Sequence, residues 1–181
     1  MRNTETWVNT FREGTIRNYF PPRIANDLLE FTDEPRLKPG SYFIYGEIAT
    51  GKTILASKLM LAELKNAYLN ETMVKAKFVS FPQFLMEVRN TYTPKSETSE
   101  NIIVNQYLEC DVLVIDDFMT TRPTDWVIDT VYYLINYRYE YLKTTIITSN
   151  KDLYELEKML GDQRITSRIN RMCTNIEKEP F

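Results

Sequence analysis

Histidine is absent from this sequence, and cysteine and glycine are scarce. Without histidine the chain lacks the commonest metal ligand and the commonest general base, which argues against metal centres and hydrolase sites built on imidazole. Cys110 and Cys173 lie far apart, so the sequence has no CxxC pair, and we expect reduced thiols in a cytoplasmic protein. No apolar run approaches membrane-spanning length and no signal-peptide segment opens the chain, so we expect no membrane contact.

An excess of positive charge is also lacking. The 22 basic and 25 acidic residues give a formal net charge of −3, so any contact with nucleic acid must be local. With 181 residues, 43% of them apolar, the chain is long enough for one domain with a full hydrophobic core.

One stretch matches a phosphate-binding loop. Residues 46–53 fit G-x-x-x-x-G-K-[ST], in which backbone N–H groups surround phosphates and the lysine reaches the terminal ones. An aromatic strand precedes the loop and a helical pattern follows it, and a helix N-terminus attracts anions. This order favours a nucleotide site over a simple turn between strand and helix. We predict that the nucleotide contacts Gly46, Glu47, Ile48, Ala49, Thr50, Gly51, Lys52, Thr53 and Ile54.

Polar residues follow two predicted buried strands further along the chain. Residues 112–115 lead into Asp116 and Asp117, at the strand end where open α/β sheets bind ligands. We predict that Thr53 and Asp116 hold Mg²⁺ and that Asp117 polarises the attacking water; an acidic turn is the alternative. Asn150 ends the strand at 144–148 and either contacts the γ-phosphate and water or is a turn residue.

Strand and helix patterns alternate along the chain. This predicts an α/β fold of three layers, with a central parallel five-stranded sheet. We expect an N-terminal entry segment of short helices at 1–39, a core at 40–181 and a polar loop at 91–100. The predicted strands are 42–45, 76–80, 111–115, 144–148 and 173–176. Besides the helix that follows the phosphate-binding loop, the predicted helices are 23–31, 82–88, 102–108, 124–142, 152–160 and 163–171.

Six segments together resemble the DnaC/DnaI family of bacterial and phage replicative-helicase loaders. That family belongs to the AAA+ ATPases and is related to DnaA and to the transposition ATPase IstB. The resemblance extends from about residue 42 to residue 176 and implies the P-loop NTPase (AAA+) fold, with ATP and Mg²⁺ as cofactors. The segments are 46–53, 111–118, 124–126, 137–140, 145–150 and 161–169.

The resemblance also implies individual roles. Lys52 and Thr53 match the Walker A residues, and Asp116 and Asp117 match the Walker B pair. Asn150 matches the sensor 1 residue. Residues near 18–24 would border the adenine. On the helix at 163–171, Arg168 matches an arginine finger that acts on a neighbouring subunit, and Arg164 matches a nucleotide-sensing arginine. The spacing of these arginines alone is equally compatible with a solvated basic face of the helix.

The implied function is ATP hydrolysis in replication initiation. Such a protein would load or assist a replicative DNA helicase on single-stranded DNA, as a homo-oligomer or in a hetero-assembly with another AAA+ protein. Forty residues are too few for the helicase-binding domain usual in the family, so Trp7, Phe11 and Ile16 either dock the helicase or anchor the core. The alternatives are a nucleotide-switched protein that binds a loader or initiator, and an IstB-like transposition ATPase.

Two further patterns of side chains are candidates for partner or DNA contacts. On the long helix, tyrosines recur every four residues, which predicts a second buried face rather than a partner groove. These are Tyr133, Tyr137 and Tyr141. A group of basic and aromatic residues either binds single-stranded DNA or contributes its aromatics to the core. Its members are Lys75, Lys77, Phe81, Phe84 and Arg89.

Overall fold

The computed structural model describes residues 2–33, 35–90, 100–120 and 123–179, without the side chains of residues 100–102. Residues 91–99, which account for nearly all of the predicted polar loop, lie outside the described residues. Within the described ranges, no helix combines the length and the apolar composition needed to cross a membrane.

A five-stranded sheet forms the centre of the molecule, as predicted. The strands are β1 (Tyr42–Tyr45), β2 (Ala76–Ser80), β3 (Val112–Asp116), β4 (Thr144–Ser149) and β5 (Thr174–Glu177). Their spatial order is β2-β3-β4-β1-β5, and every neighbouring pair is parallel. Because all strands point the same way, the ends of β1, β3 and β4 meet at one edge of the sheet.

Helices connect the strands and precede them. The N-terminal helices α1 and α2 are joined by a π-helical turn, Trp7–Phe11. The helices are α1 (Thr4–Thr6), α2 (Arg12–Tyr19), α3 (Pro22–Glu30), α4 (Lys52–Leu69), α5 (Phe81–Asn90), α6 (Glu100–Glu109), α7 (Asp125–Glu140), α8 (Leu153–Leu160) and α9 (Gln163–Met172).

The sheet has a hydrophobic cluster on each face, because successive strand residues point to opposite sides. On β1, Phe43 joins the cluster formed with α5 to α9, whereas Tyr42 and Ile44 join the cluster formed with α2 to α4. On β3, Val114 belongs to the second cluster and its neighbour Ile115 to the first. The result is the predicted arrangement of three layers.

The N-terminal segment packs against α4. Trp7 and Ile16 are buried and share a cluster with Met60 of α4, so these two residues anchor the core. Phe11 remains 44% exposed and packs its ring at a tilt against that of Tyr68, with a centroid distance of 4.7 Å. Of the two roles considered for this element, core anchoring is therefore the one that Trp7 and Ile16 serve.

The tyrosine stripe on α7 is not the second buried face that its spacing predicts. Tyr133 and Tyr141 are 55% and 61% exposed, and Tyr137 stacks on Tyr141 at 4.3 Å. The neighbouring stripe, which begins at Tyr132, meets α9 instead. Helical spacing identifies residues that share a face, but the position of the next helix decides which face is covered.

The candidate DNA-binding aromatics belong to the core. Phe81 and Phe84 are 5% and 1% exposed and pack in the cluster under α5. Lys77 donates a hydrogen bond to Gln106 at 2.9 Å and lies over the ring of Tyr107. The described part of α5 therefore presents neither Phe81 nor Phe84 to a nucleic-acid base.

Candidate functional site

A glycine loop joins β1 to α4. Gly51 precedes the helix with φ +81°, and Gly46 begins the loop with φ +143°, conformations that side chains rarely adopt. A Cβ built on Gly46 would lie 2.2 Å from the carbonyl oxygen of Lys178, just after β5. Gly46 is thus required both by its backbone angle and by the close approach of the chain that follows β5.

The lysine of the loop folds back onto the loop itself. Lys52 is 6% exposed, and its Nζ donates to the carbonyl oxygens of Gly46 at 2.9 Å and Glu47 at 2.5 Å. Burial lowers the pKa of Lys52, and the charges of Asp117 and Asp116 oppose that shift. The ammonium group therefore lies inside the curve of the loop, beside two carboxylates.

The loop amides are available as hydrogen-bond donors. Among the hydrogen bonds between described residues, the backbone N–H groups of residues 47–49 and 51 have no acceptor. Consecutive N–H groups at the start of a helix form a site for an anion, and the partial positive charge of the helix end adds to it. The 18 residues of α4 supply such an end immediately after this loop.

Asp116 lies at the end of β3 and is 6% exposed. Thr53 Oγ1 donates to Asp116 Oδ1 at 2.9 Å and lies 3.1 Å from Oδ2, so the first turn of α4 contacts the carboxylate directly. Burial raises the pKa of Asp116 above its ordinary value, while the hydroxyls of Thr148 and Thr53 act in the opposite direction. A buried carboxylate whose hydrogen-bond donors are neutral has a strong affinity for a cation.

Thr148 is a site residue that sequence reasoning did not identify. Its Oγ1 donates to Asp116 Oδ1 at 2.6 Å and accepts from the N–H of Asp117 at 3.0 Å. Asp117 has φ +57°, a left-handed conformation that is uncommon outside glycine, and Thr148 stabilises it. β4 carries hydroxyl side chains at four of its six positions, so residue type alone did not single out Thr148, and the register of β4 against β3 was needed to identify it.

A cleft of about 460 Å³ lies over the loop, a size that accommodates a small ligand. Asp117, Asn150, Thr120 and Arg23 line it together with the predicted loop residues Ile48, Ala49, Thr50, Gly51, Lys52, Thr53 and Ile54. Asp116 lies behind this lining and reaches it through Thr53. Gly46 and Glu47 reach it through their carbonyls on Lys52. The structure thus brings these predicted residues of three strand ends together.

Arg23 and Thr120 add to this cleft from outside the main motifs. Within residues 18–24, Arg23 lines the cleft, whereas Phe20 and Ile24 are buried in the core. Thr120 was missed by sequence reasoning, because nothing in the residues after Asp117 indicates where the chain turns.

The two predicted arginines of α9 lie away from this cleft. Arg164 pairs with Asp162, with Nη2 2.6 Å from Oδ2, and lies over the ring of Tyr132. Arg168 donates from Nε to Asn136 Oδ1 at 2.5 Å. Neither lines the cleft of its own subunit.

The geometry fits a nucleotide with its magnesium better than a metal held by protein alone. In the described ranges, no group of three acidic or cysteine side chains is arranged to hold a metal. Mg²⁺ in nucleotide sites is bound by one or two protein oxygens together with phosphates and water. Thr53, in the lining of the cleft, and Asp116, in contact with it from behind, would provide those oxygens.

The relatives of known sequence include a protein of a phage-like element and a replication initiator. The phage-like element PBSX protein XkdC of Bacillus subtilis is 24% identical over 167 residues, which cover 85% of this chain and 58% of XkdC. The chromosomal replication initiator protein DnaA of Neisseria meningitidis is 28% identical over 149 residues, which cover 82% of this chain and 27% of DnaA. The chain therefore spans less than two thirds of the length of either relative.

Solved structures of similar fold are AAA+ ATPases. The DnaC helicase loader matches with a TM-score of 0.65 and 22% identity, over 94% of this chain and 100% of that chain. AMPPCP-bound DnaA from Aquifex aeolicus matches with a TM-score of 0.64 and 19% identity, over 91% of this chain and 49% of that chain. These likenesses confirm the fold and the resemblance drawn from the motifs. The model of the bacterial DnaA ATPase domain matches residues 3–175, and the chain therefore belongs to that family.

Proposed function

We propose that this protein binds ATP–Mg²⁺ at the cleft over the glycine loop and hydrolyses it. The observation that carries the proposal is the contact of Thr53 Oγ1 with the carboxylate of Asp116, at 2.9 and 3.1 Å. It joins the phosphate-binding loop to the end of β3 at the floor of the cleft. The metal, when bound, neutralises charge on the β- and γ-phosphates.

Each side chain then has a specific task. When ATP binds, Lys52 exchanges its two carbonyl contacts for contacts with the terminal phosphates. The negative charge of the phosphates offsets the desolvation of the buried ammonium group. Asp117 faces the cleft and accepts a hydrogen bond from the attacking water, and Asn150 holds that water or the γ-phosphate from the end of β4.

A neighbouring subunit completes the site in this proposal. Arg23 lines the cleft, but the resemblance matches Arg168 to an arginine finger, and Arg168 lies away from the cleft of its own subunit. We therefore assign Arg168 to the cleft of the next subunit, in a homo-oligomer or in an assembly with another AAA+ protein. Arg164, on the same face of α9, reads the nucleotide state across that interface.

The cellular role follows from the family. We propose that the protein acts in the cytoplasm in replication initiation, by placing or assisting a replicative helicase on single-stranded DNA. The family match supports this role, and the similar structures include a helicase loader and a DnaA bound to AMPPCP and single-stranded DNA.

The test of the site is nucleotide binding by Lys52→Ala, measured by calorimetry with ATP and Mg²⁺. We expect a loss of about 100-fold or more in affinity, because a buried charge-assisted contact is removed. Lys58→Ala is the matched control, since Lys58 lies on the same helix and pairs with Asp33 away from the cleft. Unchanged affinity in Lys52→Ala would contradict the site.

The test of the shared site is turnover as a function of protein concentration. We expect the activity per subunit to rise with concentration, and Arg168→Ala to keep ATP binding while losing turnover. Arg171→Ala, on the last turn of the same helix, is the control. Turnover by strictly monomeric protein equal to that of the assembled protein would overturn the assignment of Arg168. Tight ATP binding without any turnover would mean that the nucleotide acts only as a switch.

A further inference from the structure

Helices α7 and α9 meet through two stripes of polar side chains. Tyr132, Asn136 and Glu140 are spaced four residues apart on α7, and Arg164 and Arg168 are spaced four apart on α9. Residues with this spacing share one face of a helix, so the two stripes face each other. None of the three α7 residues belongs to a nucleotide-binding motif.

Arg168 is fixed by three hydrogen bonds. Its Nε donates to Asn136 Oδ1 at 2.5 Å, and its Nη2 donates to Tyr132 Oη at 3.3 Å. Its Nη1 donates to the backbone carbonyl of Arg164 at 3.0 Å, one turn earlier on α9. A long side chain that would otherwise sample many rotamers is thus held in one orientation.

These contacts leave part of the guanidinium group available. An arginine side chain has five N–H groups. With three of them bonded, one remains on Nη1 and one on Nη2, and neither has an acceptor among the described residues. Each terminal nitrogen therefore keeps a donor that a phosphate oxygen can accept.

The residues that hold Arg168 are themselves held. Asn136 Nδ2 donates to Glu140 Oε1 at 2.9 Å, which turns the amide oxygen of Asn136 toward Arg168. The ring of Tyr132 lies under both guanidinium groups, 4.4 Å from Arg164 Cζ and 5.0 Å from Arg168 Cζ. The pair Tyr132 and Asn136, here called the arginine clamp, is therefore preorganised.

We propose that the arginine clamp positions Arg168 for the γ-phosphate bound to the neighbouring subunit. Tyr132 and Asn136 are positioning residues: they touch no nucleotide and act through Arg168. Holding the guanidinium in place before the subunits meet avoids an entropic cost at the moment of reaction. This inference rests on the proposed trans role of Arg168.

The first experiment compares steady-state ATP turnover in wild type, Asn136→Ala and Tyr132→Phe. Asn136→Ala should reduce kcat about tenfold or more, the usual effect of losing a hydrogen bond to a charged group, with little change in KM. Tyr132→Phe keeps the ring and removes only the hydroxyl, so a smaller loss of about two- to fivefold is expected at the longer contact. Tyr133→Phe is the control, because Tyr133 is exposed on the same helix.

The second experiment separates positioning from a structural defect by mixing subunits. Asp117→Asn subunits keep Arg168 and the arginine clamp, and asparagine tolerates the positive φ of this position. When Asp117→Asn subunits are added in excess, they should supply a correctly held Arg168 to the intact clefts of Asn136→Ala subunits. Turnover should then return, and the same should hold for Arg168→Ala subunits. A merely destabilised Asn136→Ala subunit would not be restored by a partner.

Each result decides the matter. Restoration of both variants supports the arginine clamp. Full activity of Asn136→Ala alone, or restoration of Arg168→Ala but not of Asn136→Ala, overturns the inference and leaves the proposed function standing. Absence of turnover in the wild type, or failure to restore Arg168→Ala, removes the proposed trans site and the inference with it.

Discussion

Replacing Thr148 by valine isolates the hydroxyl that organises the two acids. Thr148 is fully buried, and valine matches its shape, so the change removes the oxygen and little else. Asp116 loses a donor at 2.6 Å, and the N–H of Asp117 loses its acceptor at 3.0 Å. A hydrogen bond to a charged group contributes about 1.5–3 kcal/mol, and an unsatisfied buried N–H costs about 1–3 kcal/mol.

We expect Thr148→Val to lower the free energy of unfolding by about 2–4 kcal/mol at pH 7, less than the simple sum because Asp116 can take up a proton instead. The Thr148 hydroxyl acts to lower the pKa of Asp116, so the variant should have a still higher pKa there. The difference in stability should therefore be largest at neutral pH and should narrow as pH falls through the pKa of Asp116.

The assay is urea denaturation at a series of pH values, together with ATP turnover. Turnover should fall at least about tenfold, because Asp117 loses the contact that stabilises its left-handed backbone. Thr130→Val is the matched control, since Thr130 Oγ1 donates only to the carbonyl of Trp126 on its own helix. A Thr148→Val protein with wild-type turnover and a loss below about 0.5 kcal/mol would refute the reasoning.

Three further predictions concern neighbouring features. Gly46→Ala should destabilise the fold by about 1–3 kcal/mol or more and weaken ATP binding, because its Cβ would collide with the Lys178 carbonyl; thermal melting and calorimetry measure both. Without nucleotide, the raised pKa of Asp116 means that native stability falls as pH rises from about 3.8 through that pKa. The melting temperature of Asp116→Asn should therefore gain on that of wild type as pH rises, although the variant should lose turnover. An equal difference in melting temperature between the two proteins at pH 4 and at pH 7.5 would contradict this. Fully buried Arg138 donates to the backbone carbonyls of Tyr107, Cys110 and Thr144. Arg138→Met should therefore lower the free energy of unfolding by about 3–4 kcal/mol in chemical denaturation, whereas Arg171→Met, at an exposed position, should change it little.

Local patterns predicted most of the secondary structure. The strands at 42–45 and 76–80 match β1 and β2, and the helix predicted at 152–160 begins one residue later, where Asp152 and Glu155 form a capping box. Gly161 ends that helix with φ +66°, as its position in the sequence predicts. These features depend on residues within one turn of each other, which the linear sequence displays directly.

Contacts between distant segments were harder to predict. Thr148 reaches Asp116 because β3 and β4 pair in one register, and a shift of one residue would point it to the other face of the sheet. The exposure of Tyr133 follows from which stripe of α7 meets α9. Asn136 and Tyr132, the arginine clamp, lie 32 and 36 positions before Arg168, on a helix whose packing against α9 no local pattern encodes.

The amino-acid sequence alone thus specified the phosphate-binding loop, the paired acids and the parallel α/β architecture. Each of these depends on residue types at short, regular spacing, which restrict the backbone locally. Tertiary packing was required to show that Thr148 orients both acids, that Arg23 and Thr120 line the cleft, and that α7 holds Arg168. Those arrangements depend on strand register and on helix-to-helix contact, where small shifts change which side chains meet.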